Sequence, residues 1–116
     1  MHELGIAMRI AEIATRVAIQ EGVKKVHAVH VEVGELTGIV PDALLFSFES
    51  AIKKSFLENA RLKINLIPAS AKCNTCQTVF RPEGFFSFCP ACEAVDCEIF
   101  TGKELFIKSI VSENGK

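Results

Sequence analysis

Two CxxC pairs separated by twelve residues constrain this chain more than any other feature: "CNTC" supplies Cys73 and Cys76, and "CPAC" supplies Cys89 and Cys92. Each turn can aim two sulfurs at one ion, and the stretch between them is long enough to return as a hairpin. Two such knuckles offer four thiolates to a tetrahedral Zn(II) at roughly 2.3 Å each. A single CxxC could equally be a dithiol redox site, but two at this spacing favour metal. Four sulfurs would close the coordination shell, whereas catalytic zinc keeps one position open, so the expected role is structural and not hydrolytic. A fifth cysteine, Cys97, reads as a small, partly buried apolar residue.

Residues 70–103 hold all five cysteines and five of the nine phenylalanines. Phe80, Phe85, Phe86, Phe88 and Phe100 are expected to supply the apolar wrap that so small a module needs. Its charges are Lys72, Arg81 and Lys103 against Glu83, Glu93, Asp96 and Glu98, a net of −1. A zinc–tetrathiolate centre would add about −2 more, so phosphate is repelled and a protein partner is favoured over nucleic acid.

The rest of the chain has ordinary helix and strand periodicities. Residues 3–21 place Ile6, Ala7, Ile10, Ala11, Ile13, Ala14, Val17 and Ala18 on one helical arc, with Arg9, Glu12, Arg16 and Gln20 opposite. Gly22 is the expected stop. "KVHAVHVEVG" alternates as a half-buried strand, Val29, Val31 and Val33 facing one way and His30 and Glu32 the other. His27 and His30 are read as exposed polar strand positions. Pro41 and Asp42 open a second helix, with a stripe of Leu45, Phe48 and Ile52 that Phe56 extends, and Lys53 and Lys54 in the last turn. "ARLKINLIP" is expected to bury Leu62, Ile64 and Leu66 as a second strand, and "KELFIKSIV" forms a third. The expected organisation is an α+β domain of residues 1–69 and 104–116, two helices on a three-stranded mixed sheet, with a zinc-ribbon-like module inserted at 70–103.

The chain is 116 residues long with a formal net charge of −1, which fits one small domain plus a metal-stapled module and no extended nucleic-acid surface. No apolar run reaches the ~20 residues of a membrane span. Arg9, Glu12 and Arg16 interrupt the N-terminal apolar stretch in a way a signal peptide would not tolerate. A cytoplasmic protein is therefore expected, and there clustered cysteines read as metal ligands before disulfides.

The first residues, "MHE", raise a second metal question. The Met1 amine, the His2 amide nitrogen and the His2 imidazole can close successive chelate rings, and the Glu3 amide can supply a fourth nitrogen. A planar nitrogen set suits Ni(II) or Cu(II) far better than magnesium or calcium. The first N–H groups of a helix have no intrahelical acceptor, so a metal could use them without breaking the ladder. The helix dipole opposes a cation there, and deprotonated amides would offset that opposition. Taken alone, an exposed terminal histidine is more often simply solvated.

The opening "MHE", the central "VGELTGIVPDALLFSFE", the paired CxxC and the late "TGKELFI" together resemble the HypA/HybF family of nickel-incorporation accessory proteins for [NiFe]-hydrogenase maturation. The resemblance runs along the whole chain. It implies a metallochaperone and not an enzyme, with Ni(II) as transient cargo at Met1, His2 and Glu3. It also implies structural Zn(II) at Cys73, Cys76, Cys89 and Cys92. The partners it implies are a HypB-type GTPase nickel chaperone and the hydrogenase large subunit, with the protein itself a monomer or weak homodimer. The contrasting reading is a zinc-ribbon interaction module with an inert N-terminus. Two departures from the family pattern stand out. "CNTCQ" and "CPACE" lack the flanking histidines that in some relatives link the zinc site to pH or to urease maturation. Glu93 also occupies the position after the last cysteine, where many relatives have the glycine that suits a left-handed turn.

Overall fold

A computed structural model describes residues 3–83 and 88–112. Helix α1 (Glu3–Gln20) buries Ala7, Ile10, Ala14 and Ala18, spaced three and four apart on one face. Ile6, Ala11 and Ile13 are half-buried, and Val17 lies at the exposed margin of the expected arc. The helix stops as expected: Gly22 takes φ +72°, and Val23 N–H reaches back to the Ala18 carbonyl at 2.9 Å, a Schellman-type closure.

Strand β1 (Val26–Gly34) buries Val29, Val31 and Val33 on one face, while His30 and Glu32 are half-buried on the other. Val26 and Ala28 are also buried on that second face, so the strand's start is covered on both sides. A 3-10 turn (Glu35–Thr37) then leads to α2 (Pro41–Ala51). Proline at the first helical position and Asp42 in the first turn suit a helix start. No side chain of its own caps α2. The Val40 N–H instead donates to the Glu3 carboxylate of α1 at 3.2 Å.

The buried stripe of α2 is Leu44, Phe48 and Ile52, one position off the Leu45-led stripe expected, and Leu45 is only half-buried. "ALLFSF" offers apolar residues at adjacent positions, so periodicity alone leaves the phase of the helix open by one residue. The helix also ends before Lys53 and Lys54. The chain turns there with Lys54 at φ 59°, which exposes Phe56 and buries Leu57. Phe48, Leu44 and Leu57 are the largest fully buried side chains of this unit, each worth about 1.5–3 kcal/mol of burial.

Strands β2 (Arg61–Ile67) and β6 (Leu105–Ser112) flank β1 in a three-stranded mixed sheet of order β2-β1-β6. Glu32 on the central strand reaches both neighbours, accepting from Asn65 at 3.2 Å and pairing with Lys108 at 3.4 Å. Leu62 is buried and Ile64 half-buried, but Leu66, expected inside, is about half exposed.

A second sheet, order β4-β3-β5, is wholly antiparallel: β3 (Ser70–Cys73) pairs with β4 (Val79–Phe80) and with β5 (Cys97–Thr101). The chain divides into two compact units. One comprises 1–32, 39–65 and 106–116; the other comprises 33–38 and 66–105. The second unit thus recruits the end of β1 and the 3-10 turn. Glu35 accepts the Ala69 N–H at 3.1 Å with one oxygen and pairs with Arg81 through the other. These contacts hold its carboxyl below the usual range, the Ala69 amide first and Arg81 next. Gly34 and Gly102 meet backbone to backbone, and a Cβ on Gly34 would collide with the Gly102 carbonyl. Among the described residues, no helix is long and apolar enough to cross a membrane.

Candidate metal centre

Cys73 ends β3, Cys76 follows in the first turn, and Cys89 and Cys92 form the second turn. Their four sulfurs all lie within 4.8 Å of one another. The Sγ–Sγ separations are 3.6 Å for Cys73–Cys92 and 3.5 Å for Cys76–Cys89. Metal–sulfur bonds of about 2.3 Å in a tetrahedron require sulfurs roughly 3.8 Å apart. Two of the six separations lie within a few tenths of an ångström of that spacing and none exceeds it by more than about 1 Å, so the donor set fits one zinc-sized ion.

The two knuckles are built alike. In the first, the Thr75 and Cys76 amides point at the Cys73 sulfur at 3.3 and 3.5 Å, and Gln77 N–H closes on the Cys73 carbonyl at 2.9 Å. In the second, the Ala91 amide points at the Cys89 sulfur at 3.4 Å, and Glu93 N–H closes on the Cys89 carbonyl at 2.8 Å. Amides aimed at sulfur stabilise thiolate. Both turns need a left-handed residue after the second cysteine, which Gln77 fills at φ 67° and Glu93 at φ 62°. Glu93 thus adopts the conformation that glycine would suit, and the second knuckle keeps the shape of the first.

That conformation strains an L-residue by about 1 kcal/mol or more. We expect Glu93→Gly to stabilise the metal-bound unit by about 0.5–1 kcal/mol, net of the backbone entropy glycine adds, with Glu93→Ala giving no gain. Denaturant melts of the three proteins test this.

Hydrogen bonds and crowding set the proton affinities of Cys73, Cys76 and Cys92. The Cys76 amide leads the contacts that hold Cys73 down to about 6, and Cys76 is lowered, first by the Thr78 hydroxyl 3.0 Å from its sulfur. The Ala94 amide works against protonation of Cys92, but Cys73, burial and the other two thiols outweigh it and push Cys92 up to about 12. So tight a cluster cannot hold four negative charges unaided. A dication supplies the missing compensation and displaces the last proton.

Among the described residues, the expected phenylalanine wrap is not formed by Phe88 or Phe100. Phe88 and Phe100 are exposed, Phe80 is half-buried, and Phe85 and Phe86 lie outside the described residues. The buried residues of this unit are Val33, Ala69, Ala71, Cys73, Pro82 and Cys89, with Gly34 and Gly102. Most are small, and two of the six side chains are cysteines, which leaves little apolar material to hold the unit without an ion. Cys97 lies outside the four-sulfur set, half-buried opposite Cys73. Burial, then the Cys73 thiol, push the Cys97 thiol up.

The family model for hydrogenase/urease nickel incorporation metallochaperones, HypA, matches residues 1–112. The chain belongs to the HypA family. A hydrogenase maturation factor HypA from Geobacter metallireducens is 39% identical over 113 residues, spanning 97% of this chain and 100% of that one. Another, from a Roseiflexus species, is 42% identical over 115 residues, spanning 98% and 94%. The fold is shared with the solution structure of the Ni metallochaperone HypA from Helicobacter pylori, at 23% identity, TM-score 0.68 and 97% coverage of both chains. A second HypA solution structure matches at TM-score 0.72 and 23% identity, over 97% of this chain and 96% of that one.

Of the other residues singled out in this HypA-family chain, Met1 and His2 lie outside the described residues. Glu3 opens α1, its carboxylate bonded to Val40. His27 is exposed and His30 half-buried on β1. Sequence reasoning missed the supporting shell of the four sulfurs. Thr78 on Cys76 is part of it, as is the Asn74 side chain, which donates to the Asp96 carboxylate at 3.1 Å and ties the first knuckle to the residue before β5.

Proposed function

We propose that this chain is a nickel metallochaperone. On this reading it takes Ni(II) at Met1, His2 and Glu3 and delivers it to the [NiFe]-hydrogenase large subunit. It works in the cytoplasm with a HypB-type GTPase, as a monomer or weak homodimer. Zn(II) at Cys73, Cys76, Cys89 and Cys92 staples the module of residues 70–103, while residues 1–69 and 104–116 carry the nickel end. The observation that carries this reading is the nickel-incorporation family match over residues 1–112, which includes the Met-His-Glu opening. The Glu3 carboxylate already accepts the Val40 N–H, which supports assigning its amide, not its carboxylate, to the metal.

Nickel is the cargo, and protons compete for its ligands. An imidazole titrates near ~6.5 and an α-amine near ~7.7–8.0, and nickel must displace both protons. Titration of untagged, zinc-loaded protein should give one additional Ni(II) per chain. Nickel affinity should fall steeply as pH drops below about 6.5. A nickel affinity that stays flat from neutral to mildly acidic pH rules out the imidazole–amine site. Zinc content with no nickel binding at all would favour the interaction-module reading.

A further inference from the structure

The zinc cluster has a fifth thiol beside it, and the strand register gives that thiol a specific partner. Cys73 on β3 and Cys97 on β5 stand directly opposite each other in an antiparallel pair. The neighbouring pair carries the ladder bond, Asn74 N–H to the Asp96 carbonyl at 2.9 Å, while Cys73 N–H turns the other way, to the Thr78 carbonyl. Hydrogen-bonded and non-bonded pairs alternate along an antiparallel ladder. Cys73 and Cys97 are therefore the closely spaced, non-bonded pair, with Cα atoms about 4.5 Å apart and side chains on the same face. That spacing falls within the roughly 4.4–6.8 Å window of a disulfide. The Cys97 sulfur sits 3.6 Å from the Ala94 carbonyl, on the side of the second knuckle.

We propose that Cys97 is a redox modification site that dismantles the metal centre by forming a disulfide with Cys73 under hydrogen peroxide. The proposal rests on the zinc reading above. With zinc bound, four of the five thiols are occupied by the metal. Cys97 is the free one and, unlike Cys73, is partly exposed. In the first step peroxide oxidises the thiolate form of Cys97: Cys97–S⁻ and H₂O₂ give Cys97–SOH and hydroxide, which takes up the proton the thiol released and becomes water. In the second, the Cys73 thiolate leaves zinc and attacks the Cys97 sulfur, forming the S–S bond and expelling hydroxide, which takes a proton to become water. The two sulfurs together lose two electrons to the peroxide. Zinc is left with three thiolates and is released. Reduction by a thiol in the presence of zinc reverses the change.

The test uses the full-length, zinc-loaded protein, its zinc content first measured without oxidant. Excess hydrogen peroxide is added, released zinc is followed with a chromogenic chelator, and disulfides are mapped by peptide mass spectrometry. Expected are one zinc released, a Cys73–Cys97 linkage and recovery on reduction with zinc present. Cys97→Ser and Cys97→Ala should hold the same zinc before oxidation and release it roughly tenfold more slowly. Release at the native rate from both variants would overturn the proposal. So would a first linkage between two ligands such as Cys76 and Cys92, or loss of zinc from unoxidised Cys97 variants. Absence of zinc from the native protein would instead remove the zinc reading itself, a result visible before any peroxide is added.

Discussion

If the four sulfurs hold zinc as proposed, a strong chelator should unfold the cysteine unit while α1 and α2 remain folded. This follows from what is buried in each unit. The helical unit has Leu44, Phe48, Leu57, Val26, Val29 and Val31 in its interior. The cysteine unit buries only Val33, Pro82, two alanines and two cysteines beside its glycines. Structural zinc contributes on the order of 10–16 kcal/mol to small domains that bind it, far more than so little apolar surface can supply. Cys73→Ala and Cys92→Ala should each leave zinc substoichiometric, because a three-sulfur site loses a strong bond and keeps a hole where the ligand was. Metal analysis, with hydrogen-exchange protection across 70–103 set against helical circular dichroism, reads both halves of the expectation. Full zinc retention in both variants would overturn the assignment.

Nickel binding should be weakened to a similar degree by two quite different changes at the other end of the chain. His2→Ala removes the imidazole. A single residue added before Met1 keeps it but converts the terminal amine into a peptide nitrogen and moves the charge away. If Met1 ligates through its amine, each change breaks the chelate, and each should weaken nickel binding by two orders of magnitude or more, about 2.7 kcal/mol. Neither should alter zinc content or helicity, since Leu4 and Gly5 in the first turn of α1 are exposed and contribute little to the core. Calorimetry on untagged native, extended and His2→Ala proteins decides the matter. An extended form that binds nickel like the native one shows that the amine is not a ligand, and the site must then be rebuilt around His2 and Glu3 side chains.

Long periodic segments were legible in the sequence because one residue type fills one face. The α1 alanines and isoleucines and the β1 valines set phase, face and stop with little ambiguity. The α2 stripe slipped by one position because Leu44, Leu45 and Phe46 are consecutive and any of them could face inward. The four sulfurs were legible because CxxC is itself a geometric unit. Strands β3 to β5 were not, since two to five residues give too short an alternation to read. Their order comes from the knuckles and from contacts such as Glu35 with Arg81, 46 residues apart. Phe88 and Phe100, expected in an aromatic wrap, are exposed for a related reason. Phenylalanine near cysteine in sequence need not face it.

The split make-up of the cysteine unit has a consequence for synthesis on the ribosome. Residues 33–38 emerge long before Ala69, Arg81 and Gly102, to which Glu35, Leu36 and Gly34 attach. The helical unit must likewise wait for β6, which follows residue 105. The cysteine unit can close once residue 105 has emerged, whereas the helical unit also needs the rest of β6, so the unit that begins first is completed last. The Gly34–Gly102 meeting forms only after residue 102 has emerged, and Cys73 and Cys76 wait for Cys89 and Cys92 before the four sulfurs can gather.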